Sequence, residues 1–183
     1  MGKKAVKAKP AKAAKKRVAT SKKPKEVFQA HTTGLQEGMK APDFSGLNQD
    51  GKQFSLADYK GKKLILYFYP QDNTETCTVE ACNLQENLNS LKKEGYEVVG
   101  VSPDDVKSHR KFADKFGLNF NLLADPEHKA IKAYDVWGTK QFMGRIYDGL
   151  IRTTFIIDEK GVIRQIIRKV KSKEHAEQIR SLD

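Results

Sequence analysis

Apolar and polar positions change rhythm several times along this chain of 183 residues, and each change marks an element. Residues 62–69 form a continuous apolar run with β-branched and aromatic members, closed by Pro70, the pattern of a central strand covered on both faces. Before it, two short alternating runs at 44–47 and 52–56, joined through Asp50-Gly51, predict a hairpin. After it, Ala81, Leu84, Leu88 and Leu91 make one stripe of a helix over 76–93, with Gly95 as the stop. The run 97–101 is a second buried strand. Ser102-Pro-Asp-Asp105 then predicts a helix start with Ser102 at the cap, and that helix carries Val106, Phe112, Ala113 and Phe116 inward and ends near Gly117.

A short strand at 121–124 leads through Asp125-Pro126 to a third helix bearing Ala130, Ile131 and Tyr134. Residues 137–150 hold three glycines and show no clear period, so they read as a long loop. Alternating runs at 152–157 and 162–170, joined by Asp158-Glu-Lys-Gly161, predict a second hairpin, and a helix over 173–182 closes the chain. The order places the protein in the α/β class, one domain over 28–183 with a central mixed β-sheet flanked by helices and an N-terminal β-hairpin.

Charge alters the picture at one end. The formal net charge is +11. Residues 1–25 contain ten lysines, Arg17 and no acid, which accounts for all of it, while the remaining 23 basic and 23 acidic residues cancel. Residues 1–27 are therefore expected to be a disordered Lys/Ala/Pro-rich basic tail on a nearly neutral domain. Such a tail is either a solvated segment or a site of sequence-independent contact with DNA or RNA, and no aromatic residue precedes Phe28 to stack on bases. No stretch approaches the ~20 apolar residues of a membrane span. The expectation is a cytoplasmic protein without a membrane partner, with a nuclear or nucleoid association open through the tail. The four histidines are scattered and bring no ligand spacing, so no metal or other cofactor is expected.

Candidate chemistry lies where the central strand meets the first helix. Only two cysteines occur, Cys77 and Cys82, too few for a disulfide framework and suited to a reducing compartment. Cys77 stands in the first turn of the predicted helix, where unpaired N–H groups and the positive end of the helix dipole favour a thiolate. Thr74, three residues earlier, places a hydroxyl beside the sulfur or beside a bound oxygen, and the Pro70 ring helps exclude water. A thiolate so placed reacts with peroxides to give a sulfenic acid. On an ideal helix Cys77 and Cys82 are separated by ~7.5 Å of rise and ~140° of rotation, roughly 8–9 Å between Cα atoms. A disulfide needs less than ~7 Å. Any bond between them therefore requires the first turns of the helix to unwind.

These residues carry a resemblance. Pro70-x-x-x-Thr74-x-x-Cys77 resembles the active-site signature of the peroxiredoxins, and residues 68–82 are similar to the subfamily of bacterioferritin comigratory protein, or peroxiredoxin Q. The likeness runs from about Gly38 to Val170 and places the family's active-site arginine on Arg152. It implies a thioredoxin-like fold, Cys77 as the peroxidatic and Cys82 as the resolving cysteine, and Glu80 as the group that orients the arginine. It also implies a hydroperoxide substrate and thioredoxin or a similar dithiol as reductant; we further expect a monomer. One departure is visible: Glu75-Thr76 stand where members commonly carry Pro-Gly, and a carboxylate at 75 opposes a thiolate if it faces the sulfur. A disulfide oxidoreductase, which uses Cys-x-x-Cys, fits the wider spacing poorly. A nucleic-acid-associated protein using only the tail is the alternative from another class.

Overall fold

The computed structural model describes residues 1–2 and 28–182. The tail expected over 1–27 lies outside the described residues, apart from its first two. The centre of the molecule is a five-stranded sheet in the order β5-β4-β3-β8-β9. Its strands are β3 (Lys63–Phe68), β4 (Tyr96–Ser102), β5 (Asn121–Ala124), β8 (Thr153–Ile157) and β9 (Ile163–Ile167). β3 pairs parallel with β4 and antiparallel with β8, so its backbone is satisfied on both sides. β4 and β5 continue parallel, and β8 and β9 form an antiparallel hairpin. The mixed sheet is the expected one, and the first hairpin is present as β1 (Ser45–Leu47) and β2 (Gln53–Ser55).

β3 reads as continuously apolar because both its faces are covered, and its period of two divides the core. Leu64, Leu66 and Phe68 point to one side, with Phe44, Val99, Ile131, Tyr134 and Phe155. Ile65, Tyr67 and Tyr69 point to the other, with Leu84, Leu88, Leu91, Phe112 and Ile179. On this second face lie α1 (Glu75–Glu86), α2 (Leu88–Lys93), α3 (Val106–Phe116) and the C-terminal α5 (His175–Arg180). The short α4 (Lys129–Ala133) belongs to the first. Tyr67 sits opposite Gly100 in the register. A Cβ at Gly100 would stand 2.8 Å from the Tyr67 hydroxyl oxygen, so the absence of a side chain there admits the phenol.

Three expectations are corrected. The helix expected over 76–93 is two helices. Asn87 leaves the helical path at φ −95°, ψ 0°, and its side-chain amide donates to the Asn83 carbonyl at 2.9 Å, sharing it with the Asn87 N–H at 3.2 Å. The cap of α3 is Asp105, whose carboxylate accepts from the Ser108 N–H at 2.7 Å, whereas Ser102 still belongs to β4.

The supposed loop at 137–150 is a hairpin of β6 (Trp137–Phe142) and β7 (Arg145–Leu150), paired from Trp137↔Leu150 to Phe142↔Arg145. Its turn uses Met143 and Gly144 at φ 48° and 78°. Both turn positions are left-handed, as a two-residue hairpin turn requires, but Met-Gly lacks the Asn-Gly or Asp-Gly signal. Its glycine pair Gly138↔Gly149 and its polar residues obscure the alternation. Among the described residues no helix is long and apolar enough to cross a membrane.

Candidate active site

α1 starts a few residues after β3 ends. Pro70 is half-buried at the strand end, and Thr74 takes the N-cap position with extended backbone, its carbonyl accepting from the Thr78 N–H at 2.9 Å. Cys77 thus occupies the third helical position, among backbone N–H groups without partners inside the helix. Its side chain is buried at 1% exposure. Cys77 and Glu80 are three residues apart and share a face of α1. Arg152, in the short connection between β7 and β8, spreads its guanidinium across both. Nη2 donates to the Cys77 sulfur at 3.0 Å, and Nη1 donates to Glu80 Oε2.

Arginine suits this position because its planar fork can serve two acceptors at once. Burial opposes its charge, but Glu80 and Cys77 outweigh that and hold the guanidinium firmly protonated. Glu80 is fully buried, and burial pushes its carboxyl up to about 7 against the pull of Arg152. Its Oε1 has no hydrogen-bond partner among the described residues, nor has the buried Tyr67 hydroxyl. His175 Nε2, on the C-terminal helix, lies 3.7 Å from Oε1. His175 is buried and held down to about 4, mainly by desolvation. The Gln178 Oε1 acceptor faces Nδ1 at 3.3 Å, so the ring carries its proton there and Nε2 accepts from the Thr154 hydroxyl at 2.9 Å.

Cys77, Glu80 and Arg152 are therefore brought together as expected. Thr74 is not joined to them: its hydroxyl donates back to the Gln71 carbonyl at 3.2 Å. Cys82 is half-buried, and both cysteines are free thiols. Burial, and then the charge of Glu86, push the Cys82 thiol up. Glu75 is exposed in the first helical turn, where a carboxylate suits the helix dipole.

Sequence reasoning missed a second cluster beside the site. Asp72, on the loop between β3 and α1, is buried and accepts from the Tyr69 hydroxyl at 2.7 Å and the Ser108 hydroxyl at 2.7 Å. His109 Nδ1 lies 2.9 Å from the same carboxylate, while His109 Nε2 lies 3.1 Å from the Leu123 carbonyl. Burial raises the Asp72 carboxyl, but these bonds, above all the one from His109, bring it below its ordinary value. The only available signal was an acid two residues past Pro70; that His109 would meet it depends on how α3 packs.

A sulfur sheltered from water, yet facing an arginine and a row of free N–H groups, is suited to attack on an oxygen–oxygen bond. Set on a sheet of this topology, it defines a thiol peroxidase with a thioredoxin-like fold. The chain belongs to the AhpC/TSA family, whose model matches residues 38–166. It is 46% identical over 145 residues to a putative peroxiredoxin Bcp of Haemophilus influenzae, covering 79% of this chain and 94% of that one. With peroxiredoxin Bcp of Escherichia coli K12 the identity is 43% over 141 residues, covering 77% and 90%. Among solved structures, one of Xanthomonas campestris peroxiredoxin Q superposes with a TM-score of 0.73 at 34% identity, covering 82% of this chain and 96% of that one. The protein is accordingly a thiol-dependent peroxidase of the Bcp/peroxiredoxin Q type, acting on a hydroperoxide and reset by a thioredoxin-like reductant.

Proposed function

We propose that Cys77 is the peroxidatic cysteine and Cys82 the resolving cysteine of a peroxidase that reduces hydrogen peroxide and organic hydroperoxides. The observation that carries this reading is the 3.0 Å hydrogen bond from Arg152 Nη2 to the Cys77 sulfur in a water-poor site. The Cys77 thiolate attacks the distal oxygen of the peroxide. The sulfur–oxygen bond forms as the oxygen–oxygen bond breaks, the sulfur is oxidised by two electrons, and the leaving oxygen departs as an alcohol or as water after taking a proton. Arg152 stabilises the charge moving onto that oxygen. Thr74, whose own hydrogen is turned to Gln71, accepts the hydrogen bond of the peroxide O–H. Pro70 shields the sulfur, and Glu80 holds the guanidinium by its second arm.

The Cys82 sulfur then attacks the Cys77 sulfenic acid, the sulfur–oxygen bond breaks, and water leaves with formation of the Cys77–Cys82 disulfide. Thioredoxin or a similar dithiol supplies two electrons and two protons to restore the thiols, in a cytoplasmic setting. Stopped-flow mixing of reduced protein with one equivalent of peroxide tests the assignment. Cys77→Ser abolishes the reaction, whereas Cys82→Ser consumes one equivalent and then stalls as the Cys77 sulfenic acid, which only further peroxide over-oxidises. A Cys77→Ser variant that keeps the wild-type rate would sink it.

The protein acts as a monomer in this reading, to be checked by light scattering of the reduced form. Residues 1–25, with ten lysines, Arg17 and no acid, would add sequence-independent contact with DNA or RNA phosphates. Gel shifts at several salt concentrations, with and without residues 1–25, test that contact. Equal retention of both forms would dismiss it.

A further inference from the structure

The hairpin of β6 and β7 brings a second cation to the neighbourhood of the reactive sulfur. Lys140 stands opposite Tyr147 in the register, so the two share a face of the hairpin with Gly138 and Gly149. The Lys140 side chain runs past Gly149, and its ammonium donates to the Leu150 carbonyl at 2.7 Å, two residues before Arg152. The Tyr147 ring lies beside it, with its centroid 5.3 Å from Nζ. A Cβ at Gly149 would stand 2.9 Å from Lys140 Cε and 3.3 Å from Nζ, so the bare glycine opens this path.

A lysine ammonium taken out of water is ordinarily matched by a carboxylate. Lys140 is half-buried, and among the described residues no carboxylate pairs with it. Asp148, the one acid of the hairpin, stands opposite Thr139 on the other face and accepts from the Thr139 hydroxyl at 2.7 Å. Burial, and then the charge of Arg152, push the Lys140 ammonium down, while the charge of Cys77 pulls it back up. That attraction is mutual. Arg152 has Glu80 as its partner, but the Glu80 carboxyl, pushed up to about 7, is only partly ionised near neutral pH. With Cys77 as a thiol the site therefore carries more positive than negative charge, and a thiolate brings it closer to balance.

We propose that Lys140 is a specificity-determining residue of this site, a second cation beside Arg152 that offsets the Cys77 thiolate and favours peroxides bearing a negative charge next to the oxygen–oxygen bond. The proposal rests on Cys77 as the thiol that attacks the peroxide. Such a peroxide reacts as any other does: the sulfur–oxygen bond forms as the oxygen–oxygen bond breaks, the sulfur loses two electrons, and the remainder leaves as the anion of its acid. Positive charge at a partly desolvated site raises the encounter rate of an anion and leaves that of a neutral molecule unchanged. Its effect on the thiolate, in contrast, is felt by both alike.

Stopped-flow mixing of the reduced full chain at neutral pH, with hydrogen peroxide as the neutral probe and peroxymonosulfate as the anionic one, tests this. The rate at Cys77 is the part lost in Cys77→Ser. Lys140→Met keeps the stem against Tyr147 and removes the charge. The expected result is a severalfold fall with hydrogen peroxide and a fall about tenfold larger with peroxymonosulfate. Lys140→Arg keeps the charge and restores the wild-type ratio of the two rates. An equal fall with both probes would make Lys140 a clamp on the Leu150 carbonyl alone and overturn the proposal, as would no fall with either, or a Lys140→Arg ratio equal to that of Lys140→Met. A Cys77→Ser variant that keeps both rates would overturn the underlying reading instead.

Discussion

Glu80→Gln offers the most direct measure of what burying a carboxylate beside the reactive sulfur costs this protein. The carboxyl moves from an ordinary 4.5 to about 7 in the folded state, so between those values the native protein binds more protons than the unfolded chain. Stability therefore falls as pH rises through that window. At about 1.4 kcal/mol per pH unit the whole interval is worth about 3 kcal/mol, most of it lost between pH 5 and pH 8. His175 acts in the opposite sense over pH 4 to 6.5: its folded value near 4 makes the native state bind fewer protons, so its contribution is lost as pH falls. The wild-type profile alone thus mixes two opposed slopes.

The quantity to measure is the difference between Glu80→Gln and wild type, from urea denaturation of the reduced proteins at several pH values. Glutamine keeps the shape and removes the titration, so the variant gains on wild type by about 2–3 kcal/mol from pH 5 to pH 8. A difference that stays flat within about 0.5 kcal/mol, a resolution that linear extrapolation allows, would refute the reasoning.

Other outcomes follow from the same geometry. Arg152→Met removes the donor to the sulfur and lowers the second-order rate with peroxide by about 100-fold or more, read by stopped flow. Arg152→Lys keeps the charge yet cannot span Cys77 and Glu80 together, so it restores only part of that loss. His109→Leu takes from the buried Asp72 carboxylate its histidine partner, leaving only the Tyr69 and Ser108 hydroxyls, and costs about 3 kcal/mol in urea denaturation at neutral pH. Tyr67→Phe removes a buried hydroxyl that has no partner among the described residues, so stability changes by less than about 1 kcal/mol or rises. Gly100→Ala drives a Cβ to 2.8 Å from the Tyr67 ring and from Leu122, costing about 1–3 kcal/mol, and Tyr67→Phe relieves part of it.

Much of the fold was legible where a local rule decides. β3 announced itself by an apolar run ending in proline, the hairpin of β8 and β9 by alternation around Asp158–Gly161, and α1 by its stripe of alanine and leucine. The errors arose where two local preferences compete. Asn87 suits a helix well enough to continue the stripe, but its backbone leaves the helical path, and its side-chain amide shares the Asn83 carbonyl with its own N–H. Ser102 is a good cap and also a good last strand residue, and pairing with Ala124 on β5 retained it in the sheet. At 137–150 the strand pairing is set by a glycine pair and a Met-Gly turn, which carry weak signals on their own.

The candidate site divides the same way. Cys77, Glu80 and their shared helical face follow from spacing along one element, because a helix repeats every 3.6 residues whatever surrounds it. The distance between Cys77 and Cys82 on such a helix, too long for a disulfide without unwinding, follows from the same repeat. Nothing local sets Arg152 against Cys77, 75 positions away, or aims His109 at Asp72 and His175 toward Glu80. Those meetings depend on how β8, α3 and α5 pack around β3, and packing is a property of the whole chain. Sequence by itself determined the candidate nucleophile, its helix and the class of chemistry. Only the tertiary structure decided which charged groups surround Cys77, because long-range packing decides which side chains from distant elements meet.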